Sequence, residues 1–170
     1  MMKKIDALEI QENLIKLIGK DWMLISAGDK DNYNTMTASW GFMGYFSNKP
    51  TAVILVRPER YTTEFIESKE RFTLSFFAEN YRKALSLLGT KSGRDGDKIG
   101  ETGLNVTFTE NGNPTFSEAR IVMECRKLFV SDMKGNEFID KSLIEAWYNP
   151  KKGNFHRLYM AEIEGVYIEE

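Results

Sequence analysis

The 170-residue chain carries one cysteine, one histidine and four prolines. A lone Cys125 cannot close an internal disulfide. With His156 as its one imidazole companion it also falls short of a zinc ligand set, so disulfide scaffolds and Cys/His metal sites are excluded. An excess of either charge is missing too, because 23 Lys and Arg stand against 25 Asp and Glu, a formal net charge of -2. No basic run concentrates a field that would hold a phosphate polymer, which argues against nucleic acid as a partner. Long apolar runs are absent: Ala52 to Val56 falls far short of the roughly 20 residues that cross a bilayer. Lys3 and Lys4 are followed by Asp6, Glu9 and Glu12 rather than by an apolar segment, so no secretion signal is expected. A soluble, cytoplasmic protein without a membrane or nucleic-acid partner is the resulting expectation.

Several catalytic turns are missing as well. There is no Walker A sequence and no G-x-G-x-x-G between a strand and a helix, which excludes a Rossmann nicotinamide site. Gly89-Thr90-Lys91-Ser92-Gly93 places its serine one position late for a hydrolase elbow. Asp29, Asp31 and Asn34 resemble the start of a calcium loop, but its sixth position is Asn34 and its twelfth is Trp40, which excludes an EF-hand.

What is present is a mainly β pattern with 42% hydrophobic and 12% aromatic residues. Leu8, Leu14, Ile15, Leu17 and Ile18 predict an amphipathic helix over 7–18, stopped by Gly19. Short β-branched and aromatic segments predict strands at 22–27, 35–41, 52–56 and 72–77, with turns at 29–34 and 48–50. A helix is expected over 62–68, with Thr62 as its N-cap, and another over 81–88, ended by Gly89. A polar loop with four glycines follows over 90–103. Strands are expected near 104–109, 119–132 and 155–168, with a short helix at 141–147. Ile121, Met123 and Cys125 alternate with Val122, Glu124 and Arg126, which predicts one buried face. Residues 1–170 read as a single domain, a closed or partly closed antiparallel β-barrel with peripheral helices.

Four segments gather hydrogen-bonding side chains and cations. Asn34-Thr35-Met36-Thr37-Ala38-Ser39-Trp40 sets small polar groups beside an aromatic ring. Arg57-Pro58-Glu59-Arg60-Tyr61-Thr62-Thr63 brings two guanidinium groups and hydroxyls to a helix start, a chemistry suited to a phosphate dianion. Ser92-Gly93-Arg94-Asp95-Gly96-Asp97-Lys98 joins glycine-exposed backbone to two further cations. The C-terminal strand carries His156, the one imidazole of the chain, and Tyr159. Taken singly, each has a plain alternative: surface arginines paired with Glu59 and Glu64, a core or interface tryptophan, a solvated turn, a hydrogen-bonded strand histidine. Together they supply the parts for one phosphorylated aromatic ligand.

In this order the motifs resemble the flavin reductase-like proteins of the flavoredoxin branch, over most of the chain from about Trp22 to the last strand. The resemblance implies an FMN-binding split barrel, usually a homodimer with the flavin near the subunit interface. Carried over, Asn34, Met36, Thr37, Ala38, Ser39 and Trp40 line the ring system and ribityl chain. Arg57, Tyr61 and Thr62, with Ser92, Arg94 and Lys98, hold the phosphate. His156 is a candidate to face the flavin or a nicotinamide, and no catalytic residue or metal ligand is assigned. Many members continue after this histidine with Gly-Glu-Val, where this chain reads Met160-Ala161-Glu162-Ile163-Glu164. The function implied is an FMN-dependent oxidoreductase passing electrons from NAD(P)H or another reduced donor to a flavin, a metal complex or a protein acceptor. An electron carrier without its own NAD(P)H site, and an oxidase of phosphorylated amines, are the alternatives.

Overall fold

The computed structural model describes residues 2–149, 151 and 153–169. Ten strands run β1 Met2–Ile5, β2 Met23–Gly28, β3 Tyr33–Ala38, β4 Gly41–Phe46, β5 Lys49–Val56, β6 Arg71–Phe76, β7 Val106–Phe108, β8 Pro114–Phe116, β9 Ile121–Asp132 and β10 Arg157–Glu169. Among the described residues four α-helices join them: α1 Leu14–Lys16, α2 Thr62–Ser68, α3 Arg82–Thr90 and α4 Ser142–Trp147. Eight strands form one antiparallel sheet in the order β3-β2-β6-β9-β10-β5-β4, with β1 added along the far half of β10. β7 and β8 form a separate hairpin.

The architecture is mainly β, an antiparallel split barrel with peripheral helices whose terminal strands β3 and β4 do not pair. Its spine is the β9–β10 pair. The register of that pair shifts between Met160 and Ala161 and again between Ile163 and Gly165. Such bulges bend a long ladder, so one strand can pair with β5 near its start and β1 near its end.

The sheet is buried on both sides, not on one. Ile121, Met123 and Cys125 join an inner core with Ile25, Ile54, Phe72, Leu74 and Tyr159, whereas Val122 belongs to a second core with Leu24, Phe77, Leu85, Leu88 and Phe116. The second layer is made by α3 and the β7–β8 hairpin, which cover a face that alternation alone assigns to solvent. Glu124, on that face, is buried and accepts hydrogen bonds from Thr109, Asn111 (2.8 Å) and Asn113 (2.6 Å). Three donors compensate for removing its carboxylate from water.

Local signals divide the predicted first helix. Asp6 and Glu9 make a reciprocal capping box around a 3-10 turn at Ala7–Glu9. Asn13 then accepts from the Lys16 N–H and starts α1, which widens into π-helical turns at Leu17–Asp21. Gly19 lies inside this segment, and the positive φ of Trp22 (68°) ends it. β1, β4 and β8 have no counterpart among the expected strands. β4 turns into β5 through Ser47 and Asn48, both with positive φ (49° and 58°), the twist that suits a tight hairpin. The strand expected at 104–109 is the first arm of the β7–β8 hairpin.

Gly89 belongs to α3 rather than following it. A Cβ there would lie 3.1 Å from Thr37 Cβ, so the glycine lets the helix approach β3 closely. Tyr61, not Thr62, occupies the N-cap position of α2. Thr62 is the first helical residue, and its hydroxyl accepts from Asn34 Nδ2 at 2.9 Å.

Candidate functional site

The end of β3, the turn after β5, the loop after α3 and the start of β10 converge at one edge of the sheet. Two adjoining cavities open there. The first, about 300 Å³, is lined by Met36, Thr37, Ala38, Ser39 and Trp40 on one side and by Leu55, Arg57, Arg60, Trp147 and His156 on the other. The second, about 190 Å³, lies between Glu59, Arg60, Tyr61 and Thr62 and the wall formed by Gly89 to Gly93, with Asn34 and Lys98 completing it. Arg60 lines both.

Aromatic groups dominate the first cavity. Trp40 meets Trp147 edge-on, with ring centroids 5.3 Å apart, and lies 5.1 Å from the His156 ring. Arg57 donates to the Trp147 carbonyl at 2.7 Å and sits 5.3 Å from the Tyr148 ring. Tyr148 Oη and His156 Nδ1 are 2.7 Å apart. Burial, reinforced by the positive charge of Arg57, lowers the His156 pKa to about 4, so the ring is neutral at neutral pH. Thr37 lines the cavity, but its hydroxyl donates to the Leu85 carbonyl. Its role is to tie α3 to β3.

The second cavity is cationic. Lys98 is 3% exposed, and its Nζ donates to the carbonyls of Leu88 (2.9 Å) and Lys91 (3.0 Å). An ammonium has three donors, so one remains for another acceptor. Burial, with a further contribution from Arg60, lowers the Lys98 pKa to about 8. Burial also lowers the Arg60 pKa. Neither side chain forms an ion pair within 4.0 Å among the described residues, whereas Lys49, Arg94, Arg126 and Arg157 each do. No buried side-chain nitrogen or oxygen lacks a partner among the described residues, so the unpaired guanidinium nitrogens of Arg60 keep solvent access through the cavities it lines. Glu59 lines the same cavity and acts on Arg60 through its charge, but it pairs with neither cation within 4.0 Å, so two cations not neutralised by direct pairing are set together, a chemistry suited to an anion.

The glycine loop reaches this wall through a close contact. A Cβ on Gly93 would fall 2.4 Å from Asn34 Oδ1 and 3.1 Å from Tyr61 Cδ1. Ser92 accepts from the Arg94 N–H at 3.2 Å and turns the chain beside the cavity.

The placement of the expected residues is therefore mixed. Met36, Thr37, Ala38, Ser39 and Trp40 line the first cavity, and Tyr61, Thr62, Ser92 and Lys98 line the second. Asn34 is in the second cavity, not beside the aromatic rings. Arg57 is in the first, with Trp147, and does not reach the cationic wall. Arg94 lines neither: it pairs with Glu64, donates to the Glu59 carbonyl at 3.3 Å and sits 4.6 Å from the Tyr61 ring. It braces the loop against the start of α2. Arg60, Leu55 and Trp147 are lining residues that the carried-over set omits. Arg60 stands within one of its motifs, whereas Trp147 reaches the cavity from a remote short helix that no motif marks.

A third, apolar cavity of about 590 Å³ adjoins the first and shares Ser39, Trp40 and Leu55 with it. Leu14, Ile15, Ile18, Phe42 and Met43, with Gly19 and Gly41, complete its lining. Among the described residues no helix is long and apolar enough to cross a membrane.

The model of the flavin reductase like domain matches residues 16–170, and the chain belongs to that family. A flavoredoxin from Methanosarcina acetivorans superposes with a TM-score of 0.68 at 22% identity, covering 98% of this chain and 77% of that one. An FMN-binding domain of flavin reductases-like enzyme from Shewanella baltica gives a TM-score of 0.71 at 16% identity, covering 99% of this chain and 77% of that one. Among curated proteins, a high molecular weight rubredoxin from Moorella thermoacetica is 32% identical over 98 residues. That match covers 56% of this chain and 41% of the relative.

Proposed function

We propose that this member of the flavin reductase-like family is an FMN-dependent oxidoreductase whose flavin lies across the two adjoining cavities. The observation that carries the reading is the pair of cations without an ion-pair partner among the described residues, Arg60 and Lys98, at the far end of an aromatic-lined cleft. A ring system joined by a polyol to a phosphate dianion matches this sequence of surfaces: aromatic, then hydroxyl-lined, then cationic. Arg60, Lys98, Thr62 and Ser92 hold the phosphate, and Trp40, Met36 and Ser39 face the ring system.

Bound there, FMN supplies hydride and electron transfer, which is the cofactor's own chemistry. The protein orients it, excludes water with Trp40 and Trp147, and offers a neutral imidazole at His156. No side chain is required as a strong acid or base, in keeping with a cleft that lacks paired carboxylates. NAD(P)H or another reduced carrier donates, and a flavin, a metal complex or a protein accepts. A second copy of the chain covers the apolar cavity and the outer edge of β4, where Phe42 and Tyr45 are 61% and 63% exposed. Such a homodimer encloses the ring-binding side of the cleft.

A second reading, an electron carrier without its own NAD(P)H site, is favoured by two observations. One is the match to a relative named as a rubredoxin. The other is the Met160 to Glu164 stretch: Glu162 is held by Lys49 (2.7 Å) and Arg126, and Glu164 by Arg71 and Arg126 (both 2.7 Å). These carboxylates serve the sheet rather than a dinucleotide. Anaerobic addition of NADH to the FMN-loaded protein separates the two: bleaching of the flavin absorbance is expected for the reductase, and an unchanged spectrum with tight FMN contradicts it.

A further inference from the structure

Tyr148 follows the C-terminal end of α4 and is held on several sides. Its ring centroid lies 4.8 Å from that of Phe155 and 5.6 Å from that of Phe138, and the Arg57 guanidinium is 5.3 Å away. Its hydroxyl meets Nδ1 of His156 at 2.7 Å. Neither residue has another side-chain hydrogen bond among the described residues. Since no buried side-chain nitrogen there is unpartnered, His156 Nε2 keeps solvent access through the Trp40-lined cavity that the ring borders.

Which way the proton points across the 2.7 Å contact decides what His156 presents to that cavity. A phenol O–H is a stronger acid than a neutral imidazole N–H, and an imidazole nitrogen is a stronger base than a phenol oxygen. Donation from Tyr148 to Nδ1 satisfies both. The reverse leaves the phenol proton without a protein acceptor and turns a bare imidazole lone pair into the cavity. Burial keeps both groups uncharged, raising the Tyr148 pKa and lowering that of His156, with Arg57 and Glu59 the charged groups that act on the imidazole.

We propose that Tyr148 is a positioning residue: its phenol donates to His156 Nδ1 and fixes the imidazole as the Nε2–H tautomer, a hydrogen-bond donor into the Trp40-lined cavity. The role rests on the functional reading above and sharpens it. His156 becomes a donor to the bound ring system and not a proton acceptor, so flavin reduction carries no limb from this group above pH 5. The aromatic packing of Tyr148 survives in Tyr148→Phe, which removes the donor and nothing else.

The chain has a single histidine, so its imidazole nitrogens can be read directly by long-range proton–nitrogen NMR on the labelled protein. The wild type is expected to show unprotonated Nδ1 and protonated Nε2 from pH 8 down to 5. Tyr148→Phe is expected to show mixed tautomers and an imidazole pKa higher by about one unit, because a hydrogen bond to the neutral form has gone. Protonated Nδ1 in the wild type, or a tautomer unchanged in Tyr148→Phe, overturns the proposal. The wild-type spectrum decides it even where the variant folds poorly. An FMN titration of the same sample keeps the two claims separate: lack of uptake overturns the functional reading alone, and a wrong tautomer overturns this inference alone.

Discussion

Lys98 and Arg60 line one cavity wall and repel one another there, with no carboxylate paired to either among the described residues. Burial and that repulsion bring the Lys98 pKa from 10.5 to about 8. The free site therefore loses an ammonium just above neutrality, and a bound phosphate dianion pulls the pKa back up. FMN affinity is expected to fall above pH 8, by up to about tenfold per pH unit until the pKa of the complex is reached. Lys98→Gln should bind more weakly at pH 7 and lose this upper limb. Isothermal titration across pH 6.5 to 9.5 measures both.

The same shift has a consequence for the protein without ligand. Between about 8 and 10.5 the unfolded chain holds the Lys98 proton that the folded chain has released. Folding stability contributed by this group then rises with pH through that window. Denaturant melts of the wild type and Lys98→Gln should differ in pH slope there in that direction, and an opposite sign would show the lysine to be charge-stabilised without ligand.

Arg60 and Arg57 are separable although three positions apart. Arg60→Gln is expected to weaken FMN binding by about 1.5 to 3 kcal/mol, through loss of a charge-assisted phosphate contact. Arg57→Ala removes the 2.7 Å bond to the Trp147 carbonyl. It should cost about 0.5 to 1.5 kcal/mol, through a loosened α4 and Trp147, and alter the flavin absorbance envelope more than the phosphate contact. Riboflavin, which lacks the phosphate, discriminates: Arg60→Gln should leave its binding unchanged, and Arg57→Ala should reduce it.

Gly93→Ala places a methyl 2.4 Å from Asn34 Oδ1. Relief requires Asn34 to turn and surrender its 2.9 Å bond to Thr62. FMN binding should weaken by about 1 kcal/mol. The double variant Gly93→Ala/Asn34→Ala should be less impaired than the sum of the two single changes, because the clash is gone. Additive losses would show that the loop does not act through Asn34.

Much of this was legible in the residues. Period-two segments located the strands that carry the core, and the Arg60-Tyr61-Thr62 and Ser92-to-Lys98 motifs led to the cationic wall. Other features were not local. The second core over Val122 exists because α3 and the β7–β8 hairpin return to the sheet, which alternation within β9 cannot report. Asn13 reads as an ordinary polar position inside the helix expected over 7–18, and Asp6 as a polar residue ahead of it, until each is seen to cap its own turn. Which arginine reaches the cationic wall depends on the direction of a three-residue turn after β5, and Trp147 joins the cleft from a segment more than a hundred residues after Trp40.

Among the described residues the outer edge of β4 is unpaired, and the strand carries Phe42, Tyr45 and Phe46, all exposed. An apolar edge strand of this kind seeks cover. Sedimentation should show a dimer for the wild type and a monomer for Phe42→Glu/Tyr45→Glu, with flavin affinity reduced in the monomer. A wild-type monomer would contradict the subunit arrangement proposed for the cleft.

The most direct test of the account is an equilibrium titration of the purified protein with FMN, followed by quenching of flavin fluorescence, with riboflavin and Lys98→Gln/Arg60→Gln as controls. Saturable uptake of one FMN per chain is predicted, with riboflavin bound far more weakly and the double variant discriminating poorly between the two. Absence of FMN uptake, or equal affinity for FMN and riboflavin in the wild type, would contradict the assignment of the paired cations to a phosphate.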